Sequence, residues 1–259
     1  MPEILEAEAA RRAIEEHALG RGIAAVHAPD GWFLKRGTTA EALAHALVGN
    51  ELVAARRRGK LIVCDLADGT RLGLHLGMSG RVLVDDVEAG DPLVYASNRR
   101  VEAWHRFGLH FADGGELMLR DPRRLGAVEL DPDEDRLGPD AFGLSLAQLD
   151  AALGSRAAPV KAVCMDQSRI AGLGNLLADE ALWRAGVDPA RPARDLDRDA
   201  RRRLHRAVRA TLVVLGRRGG SHTGDLPRVA GAPCPRDGAP LVRRRVAGRT
   251  TYSCPAHQR

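Results

Sequence analysis

The chain changes its hydrophobic period once, and that change limits the folds open to it. Residues 23–27, 51–57, 60–66, 71–76, 81–84, 107–111, 116–120 and 127–130 are short β-rich runs, punctuated by turn pairs such as Asp68-Gly69 and Asp113-Gly114. Runs of that length bounded by Gly and Asp read as strands. One helix, over residues 39–47, interrupts them, and another, over 3–19, precedes them with Pro2 at its first turn and Gly20 and Gly22 at its end. Beyond the acidic, proline-bearing stretch 131–138 the spacing becomes helical, over 146–153, 159–164, 174–184 and 197–215. Strands clustered first and helices clustered afterwards predict an α+β multidomain chain, with a β-sandwich or barrel ahead of a helical lobe. The acidic stretch is the linker.

Charge is segregated as sharply as period. Residues 191–259 hold 17 arginines against 5 acids, while the first 190 residues hold 22 bases against 29 acids. A positive field confined to one end suits a polyanion, nucleic acid above all; the plainer alternative is a solvated, arginine-rich helix. Aromatic residues are only 3% of the chain, too few for stacking platforms on single strands, so phosphate contacts to a duplex fit better. No run approaches the roughly 20 apolar residues of a membrane span, and the first residues lack a basic-then-apolar signal pattern. These features predict a soluble, cytoplasmic protein with no membrane partner.

Of the four cysteines, Cys64 and Cys164 stand alone in apolar surroundings and read as buried thiols. The other two form a pattern. Cys234-Pro-Arg-Asp237 and Cys254-Pro-Ala-His257 are two short knuckles with sixteen residues between their inner members, joined by a β-hairpin through Val246-Ala247-Gly248-Arg249. Two knuckles giving two ligands each are the arrangement of a zinc ribbon. Asp237 and His257 in the second and fourth places make a harder donor set than four thiolates, and a metal-free hairpin held by packing is the alternative.

Six motifs in order carry a resemblance. The opening Met1-Pro2-Glu3-Ile4-Leu5-Glu6-Ala7-Glu8 is followed by Arg58-Gly59-Lys60, then His75-Leu76-Gly77-Met78-Ser79-Gly80 and Asp121-Pro122-Arg123-Arg124-Leu125-Gly126. Ile170-Ala171-Gly172-Leu173-Gly174-Asn175 and Ala178-Asp179-Glu180-Ala181-Leu182 come next, and the terminal ribbon closes the series. Across nearly its whole length the chain resembles the formamidopyrimidine-DNA glycosylase and endonuclease VIII family. The resemblance implies an N-terminal catalytic β-sandwich with a leading helix (1–130), a helical helix-two-turn-helix domain (131–230) and a C-terminal zinc-finger-like β-hairpin (231–259). It places damaged double-stranded DNA in the cleft between the lobes, held by a monomer.

The resemblance also implies roles. Pro2, freed by removal of Met1, is the nucleophile at C1′ of the damaged nucleoside; its secondary amine has a useful neutral fraction near neutral pH. Glu3 is the general acid/base at the sugar, and Glu6, one turn on, positions the leaving base or a water. Lys60, one of three lysines beside Lys35 and Lys161, grips phosphates at the lesion, as do Asn175 at a helix start and Arg249 in the finger. Met78, Arg123 and Leu125 match the trio that fills the gap left by the extruded nucleotide, although Leu125 stands where the family usually has phenylalanine. Between Gly219 and Pro233 the chain is too short for the loop that covers the flipped base in the family's 8-oxoguanine enzymes. Oxidised pyrimidines, abasic sites, ring-opened purines or a bulky adduct are the substrates expected instead, with His222 and Thr223 either touching the base or forming a surface turn. The expected activity is that of a bifunctional glycosylase and abasic-site lyase in base excision repair. The rival is a non-catalytic duplex-binding protein of the same fold.

Overall fold

The computed structural model describes residues 2–94 and 96–259, so the expected removal of Met1 concerns a residue outside the described ones. The chain divides into two compact units, Met1–Glu134 and Asp135–Arg259.

The first unit opens with helix α1, Ile4–His17, whose Ile4, Ala7, Ala10 and Ile14 are buried at spacings of three and four residues. Strand β1 (Ile23–His27) and helix α2 (Ala40–Leu47) follow, the helix capped by the Thr39 hydroxyl accepting the Ala42 N–H. Eight further strands follow among the described residues of the unit, beginning with β2 (Leu52–Arg58), β3 (Leu61–Leu66), β4 (Arg71–His75) and β5 (Arg81–Val84). After them come β6 (Val87–Glu88), β7 (His105–Phe111), β8 (Glu116–Arg120) and β9 (Ala127–Leu130). They form two antiparallel sheets, ordered β1-β7-β8-β5-β6 and β2-β3-β4-β9. Side chains of both, among them Ile62, Leu74, Val82, Phe107 and Leu119, share one core with α1 and α2. This is a sandwich rather than a barrel. The two-residue strand β6 was not foreseen, since so short a run carries no period to read.

The second unit holds four helices: α3 (Leu146–Leu153), α4 (Val160–Met165), α5 (Asn175–Ala185) and α6 (Arg198–Arg217). Ser145 and Gln148 form a reciprocal capping box on α3, and the Asp197 carboxylate caps α6 by accepting the Ala200 N–H at 2.7 Å. The unit ends in the hairpin β10 (Val242–Val246) and β11 (Arg249–Ser253). Its two-residue turn puts both Ala247 (φ 47°) and Gly248 (φ 77°) at positive φ, which matches the twist of paired strands. Trp183, Leu226, Cys234, Leu241 and Cys254 make a small separate core there. Among the described residues no helix is long and apolar enough to cross a membrane.

Candidate active site and nucleic-acid interface

Pro2 and Glu3 are buried at the start of α1, Glu3 with 0% of its surface exposed. The Glu3 N–H donates to Glu6 Oε2 at 2.7 Å, while the Glu3 carboxylate accepts the Glu6 N–H, so the two acids close a capping box. Both side chains sit at the positive end of the helix. Glu6 thereby holds the backbone beside Pro2.

Lys60 is the second residue of the turn between β2 and β3, whose first residue, Gly59, has φ 62°. Arg57 fixes that turn by donating to the Gly59 carbonyl at 2.7 Å and to Glu8 Oε2 at 3.1 Å. Burial raises the Glu8 pKa, but hydrogen bonds from Arg11, Arg57 and Arg12 outweigh it and leave the carboxyl below its usual range. His75, opposite Leu61 in the sheet, is pushed down to about 4 by burial and by the charge of Lys60. Its neutral ring accepts the Gly77 N–H on Nδ1 at 3.0 Å, which shapes the loop carrying Met78.

Two loops bring Met78, Arg123 and Leu125 together. Gly77 lies so close to the other loop that a Cβ there would fall 2.3 Å from the Leu125 carbonyl carbon, and its φ of +59° disfavours any side chain as well. Beneath them Asp121, with 0% of its surface exposed, organises the turn. It accepts the N–H of Leu125 and of Gly126 at 2.8 Å each, that of Arg123 at 3.1 Å, and the Ser79 hydroxyl. Arg124 is turned away into a forked pair with Asp30 at 2.7 and 2.6 Å. Leu125 is left 47% exposed and Arg123 is exposed.

In the second unit Asn175 is the first residue of α5, and its Nδ2 donates to the Thr250 carbonyl at 3.0 Å, beside Arg249. Arg249 is exposed next to the hairpin turn. A buried ionic network fixes this arrangement. Lys161 Nζ pairs with Asp179 at 2.7 Å and donates to Thr251 Oγ1 at 2.7 Å; Asp179, 0% exposed, also pairs with Arg228 at 2.8 Å. Helices α4 and α5 and strand β11 are thus tied at one point. Sequence reasoning gave Lys161 and Asp179 no role, although a lysine in a chain built on arginine was the available signal.

The knuckles bring Cys234, Asp237, Cys254 and His257 together, one ligand atom of each within 4.8 Å of the others. His257 Nε2 lies 3.2 Å from the Trp183 carbonyl, leaving Nδ1 facing the cluster, 2.5 Å from Asp237 Oδ2. The Trp183 indole N–H donates to Cys234 Sγ at 3.3 Å. A ring oriented by a carbonyl and a sulfur that receives an N–H are the supports a metal site uses around its ligands. The group can hold a metal ion.

The segment after α6 is a short turn over Ser221–Thr223, with His222 and Thr223 half-buried. Thr223 Oγ1 donates to the Gly220 carbonyl at 2.8 Å. The buried Glu180 of α5 then accepts the N–H groups of Asp225 at 3.2 Å and Leu226 at 2.9 Å, pinning the chain to the helix.

The Fapy_DNA_glyco family, the formamidopyrimidine-DNA glycosylase N-terminal domain, matches residues 1–128, and the H2TH domain of the same enzymes matches residues 137–224. A formamidopyrimidine-DNA glycosylase of Paracoccus denitrificans is 37% identical over 292 aligned positions that cover all of both chains. One of Halorhodospira halophila is 35% identical, again with full coverage of both. The crystal structure of Lactococcus lactis Fpg with DNA containing an abasic site superposes with a TM-score of 0.85 at 25% identity over all of both chains. The same protein with DNA containing FAPY-dG does so at 0.84 and 26% identity, over 99% of this chain and 100% of that one. With both domains matched in order and a full-length relative at this identity, the chain belongs to the formamidopyrimidine-DNA glycosylase family.

Proposed function

We propose that the protein is a DNA glycosylase and abasic-site lyase of base excision repair that works through Pro2. The observation that carries this reading is the pairing of Pro2 with a fully buried glutamate at the positive end of α1. After Met1 is removed, the neutral secondary amine attacks C1′; the glycosidic bond breaks and its electron pair leaves with the base, which takes up a proton. Glu3 takes the proton that the amine loses on forming the N–C1′ bond and gives it to the ring oxygen as the sugar opens to an iminium on Pro2. The iminium acidifies the C2′ hydrogen; loss of that proton expels the 3′ phosphate, and water then releases the sugar or a second elimination follows. Lys60, Asn175 and Arg249 hold phosphates around the lesion, and Met78, Arg123 and Leu125 occupy the vacated stack.

In this reading residues 1–130 carry the chemistry, 131–230 grip the duplex and 231–259 form the finger. Zinc is the metal held by Cys234, Asp237, Cys254 and His257, because mixed thiolate, imidazole and carboxylate donors suit it and the four atoms cluster closely enough for one tetrahedral ion. It supplies structural cross-linking of the two knuckles and no chemistry at the sugar. The pinned segment around Asp225 and Leu226 leaves little chain to cover a flipped base, which favours oxidised pyrimidines, ring-opened purines and abasic sites over 8-oxoguanine. A cytoplasmic enzyme acting at the bacterial nucleoid is the matching location.

Borohydride trapping on a duplex containing an abasic site tests the reading. A covalent adduct is expected, and it disappears when the terminal amine is blocked or Pro2 is replaced. Binding without an adduct would leave a duplex-binding protein without catalysis.

A further inference from the structure

Helix α6 carries a charged face that none of the proposed chemistry uses. Arg198, Arg202, Arg206, Arg209 and Arg217 fall within about a third of the helix circumference, on the side opposite the buried Leu204, Val208 and Leu215. Among the described residues Arg206 and Arg209 have no acidic partner, and Arg202 has only a loose contact with the exposed Asp199 at 3.7 Å. Like charges four residues apart weaken a helix, so the face carries a local cost. Arg202 and Arg206 also line a groove of about 630 Å³ with Leu146 and His205.

The Arg202 end of the stripe lies away from Asn175. Arg203, beside Arg202, donates to the carbonyl of Ala185 at 3.3 Å, at the C-terminal end of α5. Asn175 is at the other end of that eleven-residue helix, about 16 Å off.

We propose that the arginine stripe of α6 binds the phosphate backbone of a second stretch of DNA, while the first is engaged through Asn175 and Arg249. That the two stretches are distinct rests on the proposed phosphate contacts of Asn175 and Arg249; binding by the stripe does not. Arg198, Arg202 and Arg206 repeat about every 6 Å along the helix, close to two steps of a DNA strand at about 3.4 Å each. A protein partner would want an apolar or aromatic centre, and the stripe offers only Val213, 50% exposed. A site of this kind lets one molecule hold two duplex segments and pass from one to the other.

The test uses full-length protein with donor-labelled and acceptor-labelled short undamaged duplexes, read by energy transfer across a salt series. Transfer is expected with the unaltered protein and falls as salt rises. In the triple variant Arg202→Gln, Arg206→Gln, Arg209→Gln it is lost, and the log–log salt slope of the second binding event drops by about 2 to 3. Lysine at the same three positions retains transfer, and base release from a short lesion duplex is unchanged throughout. No transfer in the unaltered protein, or transfer that survives the glutamine variant, overturns the proposal. It is equally overturned if the variant keeps transfer but loses binding to polyglutamate, which assigns the face to an acidic protein. Failure of Arg249 variants to alter base release would count against the roles given to Asn175 and Arg249, and leave the stripe untouched.

Discussion

A single carboxylate shapes the loop that leaves Leu125 exposed. Asp121 accepts from three backbone N–H groups and a hydroxyl while fully buried, so its replacement by asparagine turns an amide NH2 toward donors that then lack an acceptor. Asp121→Asn is expected to lower stability by about 2 to 3 kcal/mol in urea denaturation. Base release should fall further than cleavage of a preformed abasic site, which no longer needs the full extrusion step. His75 acts on the partner loop and gives it a pH dependence. Its imidazole has an ordinary value of 6.5 and sits at about 4 in the folded protein, so between those values the unfolded chain binds the extra proton. Stability from this group is complete above about 6.5 and is lost as pH falls toward 4. Asp113, held down to about 2 chiefly by its hydrogen bond from Arg21, stays ionised through that window. The urea midpoint should therefore drop over this range, and drop less in His75→Asn.

At the scale of elements, the point where α4, α5 and β11 meet is the one most exposed to single changes. Removing Lys161 leaves Asp179 buried with only Arg228 as an ionic partner, and Lys161→Met is expected to cost about 3 kcal/mol, with Lys161→Met/Asp179→Leu costing less because no charge is stranded. Chemical denaturation of the single and double variants measures both. The finger has its own test. Chelation should strip hydrogen-exchange protection from β10 and β11 while leaving β3 and β8 protected, and Asp237→Cys should raise the chelator concentration required, since a thiolate binds zinc more tightly than a carboxylate. Most of these elements were legible in the sequence, because alternation, helical spacing and caps such as Thr39 and Asp197 are local signals. So were the four knuckle ligands, whose spacing is itself the geometry. Asp121, His75 and Lys161 were not: each acts on a partner far along the chain or on bare backbone, and neither leaves a periodic trace. The Glu3 and Glu6 capping box lay within a readable span, yet the pair was read for the chemistry proposed for it and not as a cap.

Across the whole molecule the charge is divided unevenly, net +5 overall but with 17 of 39 cationic side chains in the last 69 residues. If that field alone bound DNA, Lys60, far from it in sequence and one of few lysines, would be dispensable for affinity. If instead Lys60 and Arg249 each meet a phosphate of the same bound duplex, each releases its own counterions. Lys60→Gln and Arg249→Gln should then each reduce the slope of log affinity against log salt by about 1, and the double variant by about 2. Fluorescence anisotropy on an abasic duplex across a salt series separates the cases. A slope unmoved by Lys60→Gln would confine DNA binding to the arginine-rich end and leave Pro2 without a partner in the same unit to hold its substrate. Additive slopes would mean that both units bear on one duplex, the condition the proposed attack at C1′ requires.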